Sequence, residues 1–234
     1  MRKSNGFYDL HVETVPDEFS DTIEIAKKLG WSGIGLIFEE NDLNSIKDVI
    51  TNNKDVLEGM DVSLGIKIIP RNSNEISKKA KKLRRRVELI FVQGGVPDIN
   101  RAALETPEVD VLLKPWSKEG CGINQVLAKI GRKNNVAISF GMKELVYSYK
   151  KTRANILSNI EEAARFVKKF KCPFILSSDA ASAWDLRSAS ELMSLGRVLG
   201  FGDPEIKKSL SSYIVKENRK RLYGKWIMPG VEII

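Results

Sequence analysis

The chain has 234 residues and a formal net charge of +8 at pH 7, with a sequence pI of about 9.4. This length suits one α/β barrel domain over residues 1–234, and the charge disfavours a cationic partner while favouring nucleic acid or another anionic surface. No apolar stretch is long enough to cross a bilayer, and four acids stand in the first twenty residues, so we expect a cytoplasmic chain that does not act at a membrane. The two cysteines lack Cys-x-x-Cys spacing, which indicates neither a zinc knuckle nor a disulfide framework.

Seven short, apolar segments rich in β-branched residues predict strands. They cover residues 7–12, 34–38, 62–69, 88–92, 109–113, 136–140 and 173–176. Such runs are typical of parallel strands that are covered on both faces. Between them the pattern is helical, most clearly over residues 153–169, where the apolar positions at helical spacing are Ile156, Ile160, Ala163, Ala164 and Val167.

The alternation of strands and helices predicts the fold class. Parallel strands joined by helices need right-handed crossovers, and seven of them indicate an α/β, TIM-like barrel of about seven strands surrounded by helices. An open doubly wound sheet is the main alternative. Residues 203–211 and 215–222 predict extra C-terminal helices, and we expect no strands beyond Phe201, so that residues 203–234 would form closing helices and a basic tail. No Gly-x-Gly-x-x-Gly turn or Walker-type loop follows a strand.

Chemistry in such a barrel takes place at the carboxyl ends of the strands. The polar residues expected there are Asp9, His11, Glu13, Glu39, Glu40, Lys67, Arg71, Gln93, Lys114, Ser177, Ser178 and Asp179. His11 is the only histidine, and hydrolytic transition-metal sites normally use several imidazoles, so we expect neither a metal nor a cofactor in this chain. No nucleophilic triad can be completed, because His11 would have to serve as the base and the residues around Gly141 show no nucleophile elbow. These residues argue against catalysis by the chain alone.

Seven of the nine residues from Lys78 to Arg86 are basic. On a helical wheel Ile76, Ala80 and Leu83 fall on one line, and the opposite arc carries Lys78, Lys79, Lys81, Lys82, Arg85 and Arg86. These like charges repel one another, a cost that an anionic partner would remove, although most charged helix faces are simply solvated. A second cluster suits either phosphate contact with base stacking or a tail packed on the barrel; it contains Lys216, Arg219, Lys220, Arg221 and Lys225 with Tyr223 and Trp226.

A set of ordered motifs carries a family resemblance from about Phe7 to Gly200. They are Tyr-Asp-Leu-His-Val at 8–12, Asn-Arg-Ala-Ala-Leu-Glu at 100–105, Pro-Glu-Val-Asp-Val-Leu at 107–112, Gly-Ile-Asn at 122–124, Asn-Asn-Val-Ala-Ile at 134–138, Ser-Ser-Asp-Ala at 177–180 and Trp-Asp-Leu-Arg at 184–187. Through these motifs the chain resembles the ribonuclease P protein component 3 family, the barrel subunit shared by archaeal and eukaryotic forms of that ribonucleoprotein.

The resemblance implies a PHP-like barrel that has lost its metal-binding histidines. It implies a non-catalytic subunit that stabilises a catalytic RNA, which removes the 5′ leader of precursor tRNA with magnesium bound to the RNA. It also implies a smaller, ferredoxin-like protein partner, in a heterodimer or heterotetramer. One departure is Lys114, which stands before Pro115 where the family often has a histidine; a lysine there suits contact with a phosphate.

We therefore expect RNA contacts at Lys78, Lys79, Lys82, Arg85 and Arg86, and secondary contacts at Lys67, Arg71, Lys114 and Arg153. At the last strand we expect a structural polar network, which would contain Asp179, Asp185 and Arg187.

Two catalytic alternatives stay open. One is a PHP-type metal-dependent phosphoesterase, with bound metal held by Asp9, His11, Glu13, Glu39 and Asp179. The other is a small-molecule lyase or isomerase that uses Lys67 or Lys114 as an amine nucleophile or base. The charge distribution speaks against both, because cations concentrated on outer helices and the tail are not needed around a small pocket.

Overall fold

Seven parallel strands form a nearly closed barrel in the computed structural model, which describes residues 6–222, 226–228 and 231–232. The strands are β1 Tyr8–Val12, β2 Gly33–Phe38, β3 Asp61–Ile68, β4 Leu89–Gln93, β5 Val111–Leu113, β6 Ala137–Gly141 and β7 Phe174–Ser177. Each strand pairs with the next in chain order. The main-chain N–H of Glu13 donates to the Ala180 carbonyl at 2.7 Å, which joins the chain after β1 to the chain after β7. The predicted TIM-like barrel is confirmed, with each strand within two residues of its predicted bounds.

Helices surround the barrel and pack their apolar faces against it. The α-helices of the described residues are α1 Phe19–Lys28, α2 Leu43–Asn52, α3 Asn74–Leu83, α4 Pro97–Glu105, α5 Gln125–Asn134, α6 Lys143–Tyr147, α7 Lys150–Phe170, α8 Ala189–Val198, α9 Asp203–Ser209 and α10 Tyr213–Leu222. Short 3₁₀ turns occupy Pro16–Glu18, Glu40–Asp42 and Ala183–Asp185. Helix α7 contains the segment predicted at 153–169, and it buries Ile160, Ala163, Ala164 and Val167 as the spacing indicated.

The apolar core has two layers, one inside the barrel and one between the sheet and the helices. The inner layer contains Leu10, Ile37, Leu89, Phe91, Val111, Leu113, Ala137, Ile175 and Val215. Strand side chains alternate between the two layers, and a barrel of this size is filled by its own side chains. Clusters of charged side chains therefore lie at its two ends.

The C-terminal helices close the N-terminal end of the barrel. Val215 of α10 is buried in the inner layer, and the Asn218 amide donates to the Glu88 carbonyl at 2.7 Å and to Asp110 Oδ1 at 2.8 Å. The expectation of no strands beyond Phe201 is wrong, because Trp226–Met228 and Val231–Glu232 form a short antiparallel pair. A Pro-Gly dipeptide, typical of turns, stands between these two short runs in the sequence.

Candidate nucleic-acid interface and barrel mouth

The carboxyl ends of β1, β3 and β7 bring four charged side chains together at the mouth of the barrel. His11 Nδ1 lies 2.5 Å from Asp179 Oδ1, and His11 Nε2 lies 3.2 Å from Glu13 Oε1. Lys67 Nζ donates to the same Glu13 oxygen at 2.5 Å. The His11 ring also stacks on Phe91, with the ring centroids 5.2 Å apart. We call His11, Glu13, Lys67 and Asp179 the mouth network; when His11 is protonated, two cations in it face two carboxylates.

The position of Asp179 depends on a glycine at the end of β6. A Cβ atom on Gly141 would lie 2.0 Å from Asp179 Oδ2, so any other residue there would displace the carboxylate. Ser177 Oγ donates to Asp179 Oδ1 at 2.9 Å. The buried carboxylate is thereby held against the imidazole of His11.

The carboxylates decide the charge of His11. Burial alone would lower the pKa of His11, but Asp179 and Glu13 raise it to about 9. Burial would raise the pKa of Glu13, but His11 and Lys67 lower it to about 2. The pKa of Asp179 is likewise lowered, against the effect of burial, mainly by His11. At neutral pH the mouth network is therefore a cluster of ion pairs and contains no free imidazole base.

The residues of the phosphoesterase alternative do not fit a metal. Both nitrogens of His11 are engaged, and an imidazolium has no lone pair to offer a metal. The two oxygens of Asp9 accept main-chain N–H groups, from His11 at 3.2 Å and from Ser178 at 3.1 Å, and burial raises the pKa of Asp9 to about 6. Glu39 is exposed. Within the described part of the chain, no three His, Cys, Asp or Glu side chains are placed to hold a metal ion.

The basic run lies on α3 and on the turn that follows it. Ile76, Ala80 and Leu83 are fully buried, as the helical wheel predicts. The exposed cations are Lys78, Lys81, Lys82, Arg85 and Arg86. Lys79 is partly buried and pairs with Glu75 at 3.1 Å, and Lys82 pairs with Glu40 at 2.8 Å. Glu75 and Glu40, which lie outside the basic run, therefore offset part of the repulsion that the sequence predicts between its like charges.

Arg84 differs from its basic neighbours because it points inward. Its Nη1 donates to Asp110 Oδ2 at 2.7 Å, its Nη2 donates to the carbonyls of Val87 at 3.0 Å and Glu88 at 2.7 Å, and only 11% of the side chain is exposed. Sequence reasoning missed this role. The available signal was its spacing, since Arg84 stands four residues after the buried Ala80 and so lies on the inner side of the helix.

The secondary RNA-contact candidates occupy three kinds of position. Arg71 and Arg153 are exposed on loops and helix ends. Lys114 follows β5 with a φ of 42° and is one of the cations that lower the pKa of Asp179. Lys67 is 17% exposed and is tied to Glu13, which leaves little of its ammonium group for a phosphate.

The predicted polar network at the last strand is divided between two places. Asp179 belongs to the mouth network. Asp185 accepts from Tyr147 Oη at 2.5 Å and pairs with Lys143 at 3.2 Å. Arg187 donates to two neighbouring main-chain carbonyls. The three residues therefore do not form one network. Asp179 bonds within the barrel mouth, Asp185 joins the segment after β7 to α6, and Arg187 bonds within the segment after β7.

Helix α10 uses part of its basic cluster to attach itself to the barrel. Arg219 donates to both oxygens of Asp61 at 2.8 and 3.0 Å and to Glu88 Oε1 at 2.5 Å. These acids raise the pKa of Arg219 above its ordinary value, although burial alone would lower it. Tyr223 and Lys225, which the sequence placed in this cluster, lie outside the described residues, as does the side chain of Trp226. We call the set of bonded polar side chains at the N-terminal end of the barrel the N-terminal network. It comprises the charged residues Asp61, Arg84, Glu88, Asp110 and Arg219 and the amide Asn218.

The barrel, its neutralised mouth and its cationic outer helix can be compared with known proteins. A model of the family described as RNase P subunit p30 matches residues 6–222. The chain belongs to the RNase P subunit p30 family. It is 34% identical over 234 residues to ribonuclease P protein component 3 of Methanosarcina mazei, with 97% of this chain and 95% of that one covered. It is 31% identical over 211 residues to the protein of the same name from Methanothermobacter thermautotrophicus, with 88% and 86% covered. The resemblance read from the sequence motifs is confirmed.

A solved structure agrees with this assignment to the p30 family. A chain in the cryo-EM structure of archaeal ribonuclease P with mature tRNA superimposes with a TM-score of 0.81 at 27% identity, covering 96% of this chain and 97% of that one. A 5-methylcytosine deaminase from Klebsiella pneumoniae, at a TM-score of 0.54 and 10% identity, covers 93% and 68% and shares the barrel fold alone. None of the helices in the described residues is long and apolar enough to cross a membrane.

Proposed function

We propose that this chain is a non-catalytic protein subunit of ribonuclease P, the ribonucleoprotein that removes the 5′ leader of precursor tRNA. The observation that carries the proposal is the match of residues 6–222 to RNase P subunit p30. The TM-score of 0.81 to a chain of archaeal ribonuclease P supports it. In this role the chain binds and stabilises the catalytic RNA together with a partner protein.

The chemistry of hydrolysis belongs, in this proposal, to magnesium ions on the RNA, and the chain itself holds no cofactor. The mouth network supports this division of roles. An imidazolium held between Asp179 at 2.5 Å and Glu13 at 3.2 Å is neither a free general base nor a metal ligand. The site that another barrel would use for catalysis here serves to hold the strand ends together.

The principal RNA-binding face is the outer surface of α3 and its following turn. Lys78, Lys82, Arg85 and Arg86 are exposed there, and Lys79 stands beside them. A phosphodiester backbone lying along this surface would take the place of counterions, whose release favours binding. Arg71, Lys114 and Arg153 would extend the contacts toward the carboxyl ends of the strands.

The partners follow from membership of the family. We propose that the chain binds ribonuclease P RNA directly and meets precursor tRNA within the complex. A smaller, ferredoxin-like protein subunit would bind it in a heterodimer or heterotetramer. The complex would work in the cytoplasm and away from membranes.

The test is reconstitution of the complex with a variant in which Lys78, Lys79, Lys82, Arg85 and Arg86 are all changed to Gln. Binding of the full-length chain to ribonuclease P RNA is measured across a range of salt concentrations. Removal of one cation that binds a phosphate should lower the slope of log K against log salt by about 0.7–0.9. Cleavage of precursor tRNA should then need a higher concentration of the variant subunit than of the unaltered chain.

A matched control removes the same charge elsewhere. Its five exposed positions, changed to Gln, are Lys28, Lys118, Arg132, Lys133 and Lys207. The control should keep most of the salt slope, because these cations lie on other helices and loops. Equal slopes for the two variants would remove α3 from the RNA interface, and a reconstituted enzyme that needs no barrel subunit at all would contradict the proposed function itself.

A further inference from the structure

Three aromatic side chains are exposed on the two segments that follow β6 and β7. Trp184 is 83% exposed, Tyr149 is 71% exposed and Tyr147 is 58% exposed, which makes them the most exposed aromatic residues in the described part of the chain. Single exposed apolar residues are ordinary, but a group of large aromatic rings in water marks a surface that a ligand covers. We call these three residues the aromatic patch.

The aromatic patch is held in place by a buried carboxylate. Asp185 follows Trp184 directly and is 6% exposed. It accepts from Tyr147 Oη at 2.5 Å and from the Ala181 main-chain N–H at 3.1 Å, and it forms an ion pair with Lys143, whose ammonium lies 3.2 Å away. These contacts join the β6 loop to the β7 loop. The rings are thus displayed on an ordered support, which lowers the entropic cost of binding a ligand.

Cations surround the rings. The Arg153 guanidinium lies over the Tyr149 ring, 5.4 Å from its centroid, and donates to the Ser148 carbonyl at 2.6 Å. Arg187 Nη1 donates to the Trp184 carbonyl at 3.0 Å, which places its charge close to the main chain that carries the indole. The segments 143–153 and 183–187 together contain five Lys or Arg residues and two carboxylates, and both carboxylates are already engaged, Asp185 as described and Glu144 by Trp116 Nε1 at 2.9 Å.

The cations also occupy an unfavourable place on their helix. Lys150, Lys151 and Arg153 stand in the first turn of α7, which carries no acid and no side-chain cap. The positive end of the helix dipole disfavours cations there. An anionic ligand beside the aromatic patch would offset that cost, whereas a neutral peptide would not.

We propose that the aromatic patch stacks unpaired bases of a single-stranded RNA segment, while Arg153, Arg187 and the lysines at the start of α7 contact its phosphates. Exposed rings interleaved with cations are the pattern that single strands use, because every base offers a face to stack on and the groove neutralises the backbone. A duplex keeps its bases stacked internally and has no free face for these rings. This inference rests on the proposed function and adds a second RNA contact, chemically different from the charged surface of α3.

The test uses the full-length chain with a single-stranded oligoribonucleotide of mixed sequence and an RNA duplex of the same length. Trp184→Ala and Tyr149→Ala should each weaken binding of the single strand by about 5- to 150-fold, the range expected for one stacked base. Trp184→Phe should restore most of the affinity. Neither alanine variant should change the salt slope, since all the cations that bind phosphates remain, whereas Arg153→Gln should lower it by about 0.7.

Tyr213→Ala is the matched control, because Tyr213 is another exposed aromatic, 47% exposed, on α10. It should leave single-strand binding unchanged. All of these side chains are exposed, so urea denaturation should give unfolding midpoints close to that of the unaltered chain.

Three results would overturn the proposal: unchanged single-strand affinity in Trp184→Ala and Tyr149→Ala, an equal loss of affinity for the duplex, or weaker binding of the protein partner with RNA binding intact. The last result would make the patch a protein interface. None of them bears on the α3 surface, whose five-residue variant reports separately on the proposed function.

Discussion

The two ends of the barrel are both closed by charged side chains, but in different ways. At the N-terminal end α10 lies across the strands, and Arg219 joins Asp61 at 2.8 Å to Glu88 at 2.5 Å. Arg84 pairs with Asp110 at 2.7 Å at the same end. At the carboxyl end the mouth network is built around a histidine, and it lies beside the loops that carry the aromatic patch.

The two ends of the barrel differ in how their ion pairs respond to pH. Arginine keeps its charge at every pH that a protein experiences, so a rise from neutral to alkaline pH leaves the ion pairs of the N-terminal network unchanged. His11 titrates, so the mouth network weakens when its proton is lost. We propose that the exposed cations on α3 and α7, which lie outside both networks, contact RNA. In this proposal, basic residues serve two purposes: those buried against acids stabilise the fold, and those exposed on the outer helices contact RNA.

The largest effect should come from Asp110→Ala in the N-terminal network. Asp110 accepts from Arg84 at 2.7 Å, from the Ile90 main-chain N–H at 2.7 Å and from Asn218 at 2.8 Å. Its removal leaves a nearly buried guanidinium without its carboxylate, which should cost about 4 kcal/mol in the free energy of unfolding. Urea denaturation measures the loss.

The control for Asp110→Ala is Asp203→Ala, because Asp203 pairs with Arg197 at 3.0 Å on the exposed surface. That variant should lose less than about 1 kcal/mol. A loss of the same small size in Asp110→Ala would mean that the N-terminal network contributes little to stability.

The mouth network should make stability depend on pH. The pKa of His11 is raised to about 9 in the folded state, whereas the unfolded chain has an ordinary value near 6.5. The folded state therefore binds the proton more tightly, and the stabilisation is complete below about pH 6.5 and is lost as the pH rises through 9. The expected loss is on the order of 3 kcal/mol.

His11→Gln should remove most of this pH dependence, and Asp110→Ala should retain it, because Asp110 lies at the other end of the barrel. Free energies of unfolding measured by urea denaturation at pH 6, 7.5 and 9 provide the comparison. A steep fall that persists in His11→Gln would assign the titration to another group.

A comparison of Arg84 with its neighbour Arg85 tests whether burial decides if an arginine stabilises the fold or contacts RNA. Arg84→Gln should destabilise the chain by about 2 kcal/mol, since Asp110 loses a charged donor. Arg85→Gln should change stability by less than about 0.5 kcal/mol, because Arg85 is exposed. Denaturation compares the two variants, and RNA titration should show the reverse order for the salt slope. If the two variants behaved alike in both measurements, burial would not decide which of these two arginines stabilises the fold.

The smallest expected effect is the difference in salt slope between substitutions at two adjacent lysines, Lys78 and Lys79. Lys78 is exposed, whereas Lys79 pairs with Glu75 at 3.1 Å. Lys78→Gln should lower the salt slope of RNA binding by about 0.7–0.9, and Lys79→Gln should lower it less, because part of its charge is already neutralised. A larger effect at Lys79 would indicate that RNA displaces Glu75.

Local patterns in the sequence were enough to predict much of the molecule. The seven strands and the buried line of α3 follow from periodicity, because apolar spacing reports which side of an element is covered. The lack of a second histidine is visible in the composition. The motifs in residues 8–187 pointed to the family without any knowledge of the contacts.

The partners of charged side chains could be decided only by the tertiary structure. His11 meets Asp179 across 168 positions of sequence, and Arg219 meets Asp61 across 158. Periodicity identifies the face on which a residue lies but not the group opposite it, because that group belongs to a distant segment. For the same reason the sequence predicted possible phosphate contacts at Lys67 and Arg219 but not the acids that they face, and the exposed ring of Trp184 could not be distinguished from a buried one.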